Sequence, residues 1–146
     1  MKKHGFTLVE VIVVITLVTV ILGLSTIYFA GFLPAAKLGA TGREITALLR
    51  HTRSLARMEG VTHTVMLNLD DRTYGIVGKA TKSIPDHVLI KIEDPVNGEI
   101  LHGKYPLIFP AAGGLEGGTI ILSGGKKKIR IALDPLTGAA MIKDRR

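Results

Sequence analysis

The sequence has 146 residues, no cysteine, no tryptophan, and only 5% aromatic residues. Without cysteine there is no disulfide framework and no thiolate metal site. That absence does not fix a compartment. Two further scarcities are local. Between Phe6 and Leu33 there is no proline, and the only charged residue is Glu10. Residues 35–146 are left to form one small domain.

Phe6 to Leu33 is otherwise apolar, with Thr7, Thr16, Thr19, Ser25 and Thr26 as its other polar members. Hydroxyls are tolerated there because they can bond to the helix's own carbonyls. A helix over this stretch is about 42 Å long at ~1.5 Å per residue, against a hydrocarbon layer of about 30 Å. The run is longer than the ~7–15-residue apolar core of a secretory signal. It predicts a membrane-crossing helix. Lys2 and Lys3 place its start in the cytoplasm by the positive-inside rule and the rest of the chain on the far side. Glu10 is then out of place, since a carboxylate at mid-membrane costs about 2.5–3.5 kcal/mol on insertion scales. Near the cytoplasmic end the cost is lower.

The residues around Glu10 read Lys2-Lys3-His4-Gly5-Phe6-Thr7-Leu8-Val9-Glu10. This resembles the processing site of type IV pilins and type II secretion pseudopilins: a short basic leader, glycine, an aromatic, a Thr-Leu-like pair, and Glu four residues past the aromatic. The resemblance implies cleavage by a prepilin peptidase between Gly5 and Phe6, and N-methylation of Phe6. It implies that Glu10 serves subunit assembly, pairing with the terminal amine of a neighbour. A buried charge is tolerable only when paired. Two other places for Glu10 stay open: the headgroup level, or a pair with its own Phe6 amine.

Pro34 follows the apolar run, with Gly39 and Gly42 beyond it. A kink or a break is expected there. Thr41-Gly-Arg-Glu44 fits a capping box for a restarted helix. Ile45, Leu48, Leu49, Thr52, Leu55 and Ala56 then recur at helical spacing, with the arginines mostly off that stripe. Past Gly60 the period becomes two. Strands are predicted from Val61 to Leu69, Thr73–Val77, His87–Glu93, Leu107–Phe109, Thr119–Ser123, Ile129–Leu133 and Ala139–Ile142. Asp70-Asp-Arg, Asn97-Gly98 and Thr137-Gly138 read as turns, and residues 111–118 as a glycine-rich loop.

The fold class is therefore α+β: a long N-terminal helix, half transmembrane and half amphipathic, packed on an antiparallel sheet or small sandwich. The expected division is a leader at 1–5, a transmembrane helix at 6–33, an amphipathic helix at 34–60 and a periplasmic β domain at 61–146. Residues 48–67 resemble the helix-to-strand junction of minor pseudopilins of the GspH/FimT family. The stretch from Ile108 to Ala140 resembles that family's C-terminal half.

Lys and Arg number 19 against 12 Asp and Glu, a formal charge of +7. A solvated surface is the bland reading of that excess. Lys126, Lys127 and Lys128, with Arg145 and Arg146 in the tail, are also candidates for weak nucleic-acid contact. No catalytic set is visible. The five histidines are scattered, with no H-x-x-x-H pair. There is no G-x-S-x-G. Gly124-Gly-Lys126 lacks the earlier glycine of a phosphate loop, Ile120 standing there. Asp70-Asp71 reads as a polar turn, and the basic C-terminus argues against bound calcium. No metal or cofactor is expected, and no enzymatic activity.

The resemblance implies a minor pseudopilin of a type II secretion system. It would be a single-pass inner-membrane protein, added to a periplasmic filament that drives export of folded proteins. Its partners would be the prepilin peptidase, other pseudopilins or pilins, the inner-membrane assembly platform and membrane lipid. The alternative is a minor, FimT-like type IV pilin that acts in pilus assembly or binds DNA during uptake.

Overall fold

In the computed structural model the described residues are 7–125 and 127–145; for 26–34 and 144–145 the description covers the backbone alone. One long helix, α1, runs Leu8–Glu59. Nine strands follow among the described residues: β1 His63–Asn68, β2 Thr73–Ile76, β3 Lys82–Ser83, β4 Leu89–Asp94, β5 Gly98–Ile100, β6 Lys104–Phe109, β7 Thr119–Gly124, β8 Lys127–Leu133 and β9 Ala140–Arg145. The chain divides into two compact units, residues 1–33 and 34–146.

Of the kink and the break considered near Pro34, the break is absent: helical geometry continues through Pro34, Gly39 and Gly42. Proline removes one hydrogen bond of the ladder, and the helical turns on either side bridge that gap. The capping box is likewise corrected. Thr41 lies inside the helix, and its hydroxyl donates to the Lys37 carbonyl at 3.0 Å. Glu44 instead accepts from the Tyr74 hydroxyl at 3.1 Å and pairs with Lys82 at 3.5 Å. The helix ends at Gly60, whose φ of 66° supplies the left-handed residue that closes many helices.

In the second unit the buried stripe of α1 is Leu38, Thr41, Ile45, Thr46, Leu49, Thr52 and Ala56. Leu48 and Leu55 pack half-buried against it. The buried threonines keep their hydroxyls satisfied, Thr46 by the Gly42 carbonyl and Thr52 by that of Leu48, each at 2.8 Å.

The strands form two antiparallel sheets, ordered β3-β2-β1-β6 and β5-β4-β7-β8-β9. Val65, Leu67, Tyr74, Leu107 and Phe109 of the first meet Ile92, Ile120, Leu122 and Ile131 of the second and the stripe of α1 in one core. This is the α+β architecture expected, with the sandwich alternative realised.

Sequence alternation located seven of the strands, with small shifts at their ends. β6 starts at Lys104 rather than Leu107 and so contains Pro106. The proline is accommodated because β6 is an edge strand. β3 and β5 went unpredicted.

The glycine-rich loop has a specific packing role. Leu115 donates its amide to the Pro135 carbonyl at 2.9 Å. A Cβ on Gly114 would stand 2.9 Å from that same oxygen, and one on Gly138 would stand 2.7 Å from the Gly114 carbonyl. The loop and the turn after β8 thus meet backbone to backbone.

Candidate processing and assembly site

α1 is started by Thr7. The Glu10 amide lies 3.3 Å from the Thr7 hydroxyl and 3.1 Å from its carbonyl, and the Val11 amide also reaches that carbonyl. Thr7-x-x-Glu10 therefore has the spacing of a capping box with its threonine in place. This signal was readable in the sequence, which assigned the box to Thr41 instead. Glu10 occupies the first helical turn, where free amides favour a carboxylate. It is exposed, and no group among the described residues pairs with its carboxylate. Gly5 and Phe6 lie outside the described residues.

From Leu8 to Ser25 the helix has a mean hydropathy of 2.7 and buries none of its residues. Its large apolar side chains are exposed from 44% at Val11 to 78% at Leu8. The hydroxyls of Thr16, Thr19 and Ser25 donate to the carbonyls four residues back, each at 2.8 Å. The helix thus presents hydrocarbon on every side with its described hydroxyls internally satisfied. Such a surface belongs in lipid or among other apolar helices.

The basic candidates are only partly brought together. Lys126 and Arg146 lie outside the described residues. Lys127 and Lys128 are exposed on β8, where Lys127 pairs with Gly124 of β7. Lys128 stands opposite Arg145 in the β8–β9 register, and Arg130 opposite Lys143. Arg130 and Lys143, directly opposite, share a face. Arg130 is paired with Glu93, and Lys91 with Glu99, so part of this face is neutralised. Lys127, Lys128 and Lys143 have no acidic partner among the residues whose side chains are described.

Among the described residues no His, Asp or Glu group is arranged to hold a metal. Asp70 and Asp71 serve the β1–β2 turn. Asp70 accepts from the Gly103 amide at 3.0 Å, and Asp71 bonds to Asn68 through side chain and amide at 2.5 and 3.1 Å. His63 and His102 pair with Glu59 and Asp70 at 2.7 and 3.4 Å. The perturbed titratable groups also bind loops and layers together. Asp94 is held below the usual carboxylate range, first by the Tyr105 hydroxyl and then by the Asn97 and Val96 amides. Tyr74 is pushed up to about 12 by burial and its bond to Glu44.

No curated protein and no solved structure matches the chain. Residues 1–26 match the family model described as the prokaryotic N-terminal methylation motif, a signal that supports a place for this chain in the pilin and pseudopilin family.

Proposed function

We propose that the protein is a structural filament subunit, a minor pseudopilin of a type II secretion system, with no catalytic role of its own. The observation that carries this reading is the methylation motif on a helix whose following apolar stretch is unburied and carries one carboxylate in its first turn. Prepilin peptidase cuts after Gly5 on the cytoplasmic side and methylates the Phe6 amine. The helix stays as the membrane anchor until the subunit joins the filament, where Glu10 pairs with a neighbour's amine. The folded unit, residues 34–146, lies on the periplasmic side and supplies contacts within the filament or to cargo. Co-expression with the peptidase tests the processing step. Replacing Gly5 with a bulky residue leaves the leader attached, read as retained N-terminal mass; normal processing of that variant refutes the assignment.

A minor type IV pilin that contacts DNA is the second reading. It is favoured by the register that sets Lys128 opposite Arg145 and Arg130 opposite Lys143. It requires a salt-dependent mobility shift of duplex DNA by the protein. No shift at low salt sinks it.

A further inference from the structure

Charged side chains line the outward face of the five-stranded sheet, and the register sets their order. Glu99 of β5 stands opposite Glu93 of β4, and Lys91 lies two residues before Glu93 on the same strand. Lys91 stands opposite Ile121 of β7, Ile121 opposite Arg130 of β8, and Arg130 opposite Lys143 of β9. Ile92, Ile120, Leu122 and Ile131 alternate with this set and fill the core, so the charges point away from it. Glu99 is bonded to Lys91, and Glu93 to Arg130 across β7. The row thus begins on an acid at the β5 edge and ends on a base at the β9 edge. Lys143 lies beside Arg130, and none of the described acidic side chains pairs with it. Asp144 stands opposite Ile129, which places it on the other face.

We propose that the β9 edge docks on the β5 edge of a second copy of this chain, Lys143 of one meeting Glu99 of the other. β5 and β9 are the terminal strands of the sheet, so each has one side without a strand partner among the described residues. Arg50 reaches the first residue of β9, the Ala140 carbonyl, at 3.1 Å, and Met141 to Lys143 beyond it are exposed. Val96 and Leu101, which flank β5, are exposed too. The ways of joining two edges differ in charge. Two β9 edges set Lys143 and Arg130 of one copy beside those of the other. Two β5 edges set Glu99 beside Glu99. Like charges across a strand pair are destabilising. β9 on β5 brings opposite signs together. It also fixes the orientation. Every pairing in the sheet is antiparallel, so β5 and β9 run in the same direction. With the outward faces on one side, the docked strands are parallel and the two copies point the same way. The contact is heterologous, and the second copy keeps its own β9 edge for a third. A nucleic-acid duplex offers anions to Lys128, Arg130 and Lys143 but nothing to the acidic β5 edge. The proposal uses the folded unit alone and stands apart from the filament reading.

The chain has no cysteine, so introduced thiols report on this contact alone. In a parallel pairing that sets Lys143 opposite Glu99, Met141 comes opposite Asn97, and both of these are exposed. Full-length Met141→Cys and Asn97→Cys chains, differently tagged, are co-expressed and oxidised with copper phenanthroline. Expected is a disulfide-linked dimer that carries both tags and weakens with salt. Adding Lys143→Glu to the first chain, or Glu99→Lys to the second, should lower its yield about fivefold, as an exposed attraction becomes a repulsion. The two reversals together should restore it. Failure of that restoration overturns the proposal, as does absence of the two-tag dimer. An equal yield of Met141→Cys with itself shows a symmetric contact and overturns it. An equal yield with Lys104→Cys, on the other sheet, in place of Asn97→Cys shows random collision and overturns it. Duplex DNA bound through Lys143, with no two-tag dimer, assigns the basic edge to nucleic acid and overturns it too. The oxidation is read in whichever cell fraction holds the chain, so the anchor reading can fail without touching this one.

Discussion

The Tyr105 hydroxyl, on the edge strand β6 of one sheet, donates to the carboxylate of Asp94 at the end of β4 in the other. Asp94 also accepts the Val96 and Asn97 amides at 2.9 and 2.7 Å, so one side chain closes the β4–β5 turn and ties the sheets together. These bonds lower the Asp94 pKa, while burial and then Asp94 push Tyr105 up to about 12. Asp134 is lowered too, chiefly by Thr137. A lowered carboxylate stabilises the fold above its unfolded pKa, and that contribution is lost as pH falls through the folded value. A raised tyrosine stabilises below its unfolded value near 10, and that contribution is lost as pH climbs toward 12. Thermal melting of the protein should therefore be flat across neutral pH, with an acid limb below the ordinary carboxylate range and an alkaline limb above 10. Tyr105→Phe should lower the plateau and make both limbs shallower. Unchanged limbs in that variant would rule out the Tyr105–Asp94 bond as their source.

Glycine substitutions should separate steric demand from backbone demand. A Cβ on Gly118 would stand 2.4 Å from the Glu93 carbonyl and 2.9 Å from the Asp94 Cα, both backbone atoms. Gly118→Ala must move β4 away from the start of β7, and a loss of about 3 kcal/mol is expected. Gly98 has a φ of 76° with nothing within 4 Å of its would-be Cβ. Gly98→Ala should cost only the left-handed strain, about 1–2 kcal/mol. Urea unfolding of the two variants checks the order; a reversed order refutes the close approach at Gly118.

How much of this was legible in the sequence depends on the range of the interaction. The apolar run, the motif around Gly5 and the alternation of Val65, Leu67 and Leu69 are local patterns, and local patterns can be read directly. β3 and β5 are two and three residues long, too short to show a period. The division into two sheets rests on pairings such as Thr64 with Ile108, which no local pattern encodes. Thr41 to Glu44 had the letters of a capping box, but the Lys37 carbonyl already engages the Thr41 hydroxyl inside a helix that does not stop. The box at Thr7 has the same letters and a free helix end behind them. Of the candidate basic residues, Lys128 and Arg145 are joined by the β8–β9 register, which the sequence alone does not fix. The role of Gly114 and Gly138 was hidden for the same reason, since each is needed for the other's loop.

Leucines in the two halves of α1 should answer to different assays. Leu49 is 1% exposed among residues of both sheets. Leu49→Ala should cost about 2–5 kcal/mol of unfolding free energy, the range for a buried leucine truncated to alanine. Leu17 is 58% exposed in the apolar half. Leu17→Ala should leave the melting of the folded unit unchanged. A large melting shift from Leu17→Ala would mean that this half packs on the domain rather than in lipid.

Glu10 gives the sharpest test of assembly. Its helix start is secured independently by the Thr7 hydroxyl and carbonyl, so Glu10→Gln should leave the helix and membrane insertion intact. Removing one member of a buried pair leaves the other charge stranded, at about 3–5 kcal/mol per contact. The variant should therefore insert but fail to appear in sheared filaments. Co-expression with wild type separates the two possible amines. If Glu10 meets a neighbour's Phe6 amine, a Glu10→Gln subunit can still offer its own amine to a wild-type carboxylate, and mixing partly restores its incorporation. If Glu10 meets the amine of its own chain, wild-type neighbours offer the variant nothing, and mixing restores nothing. Incorporation of Glu10→Gln at the wild-type level, alone, would remove the pairing role altogether.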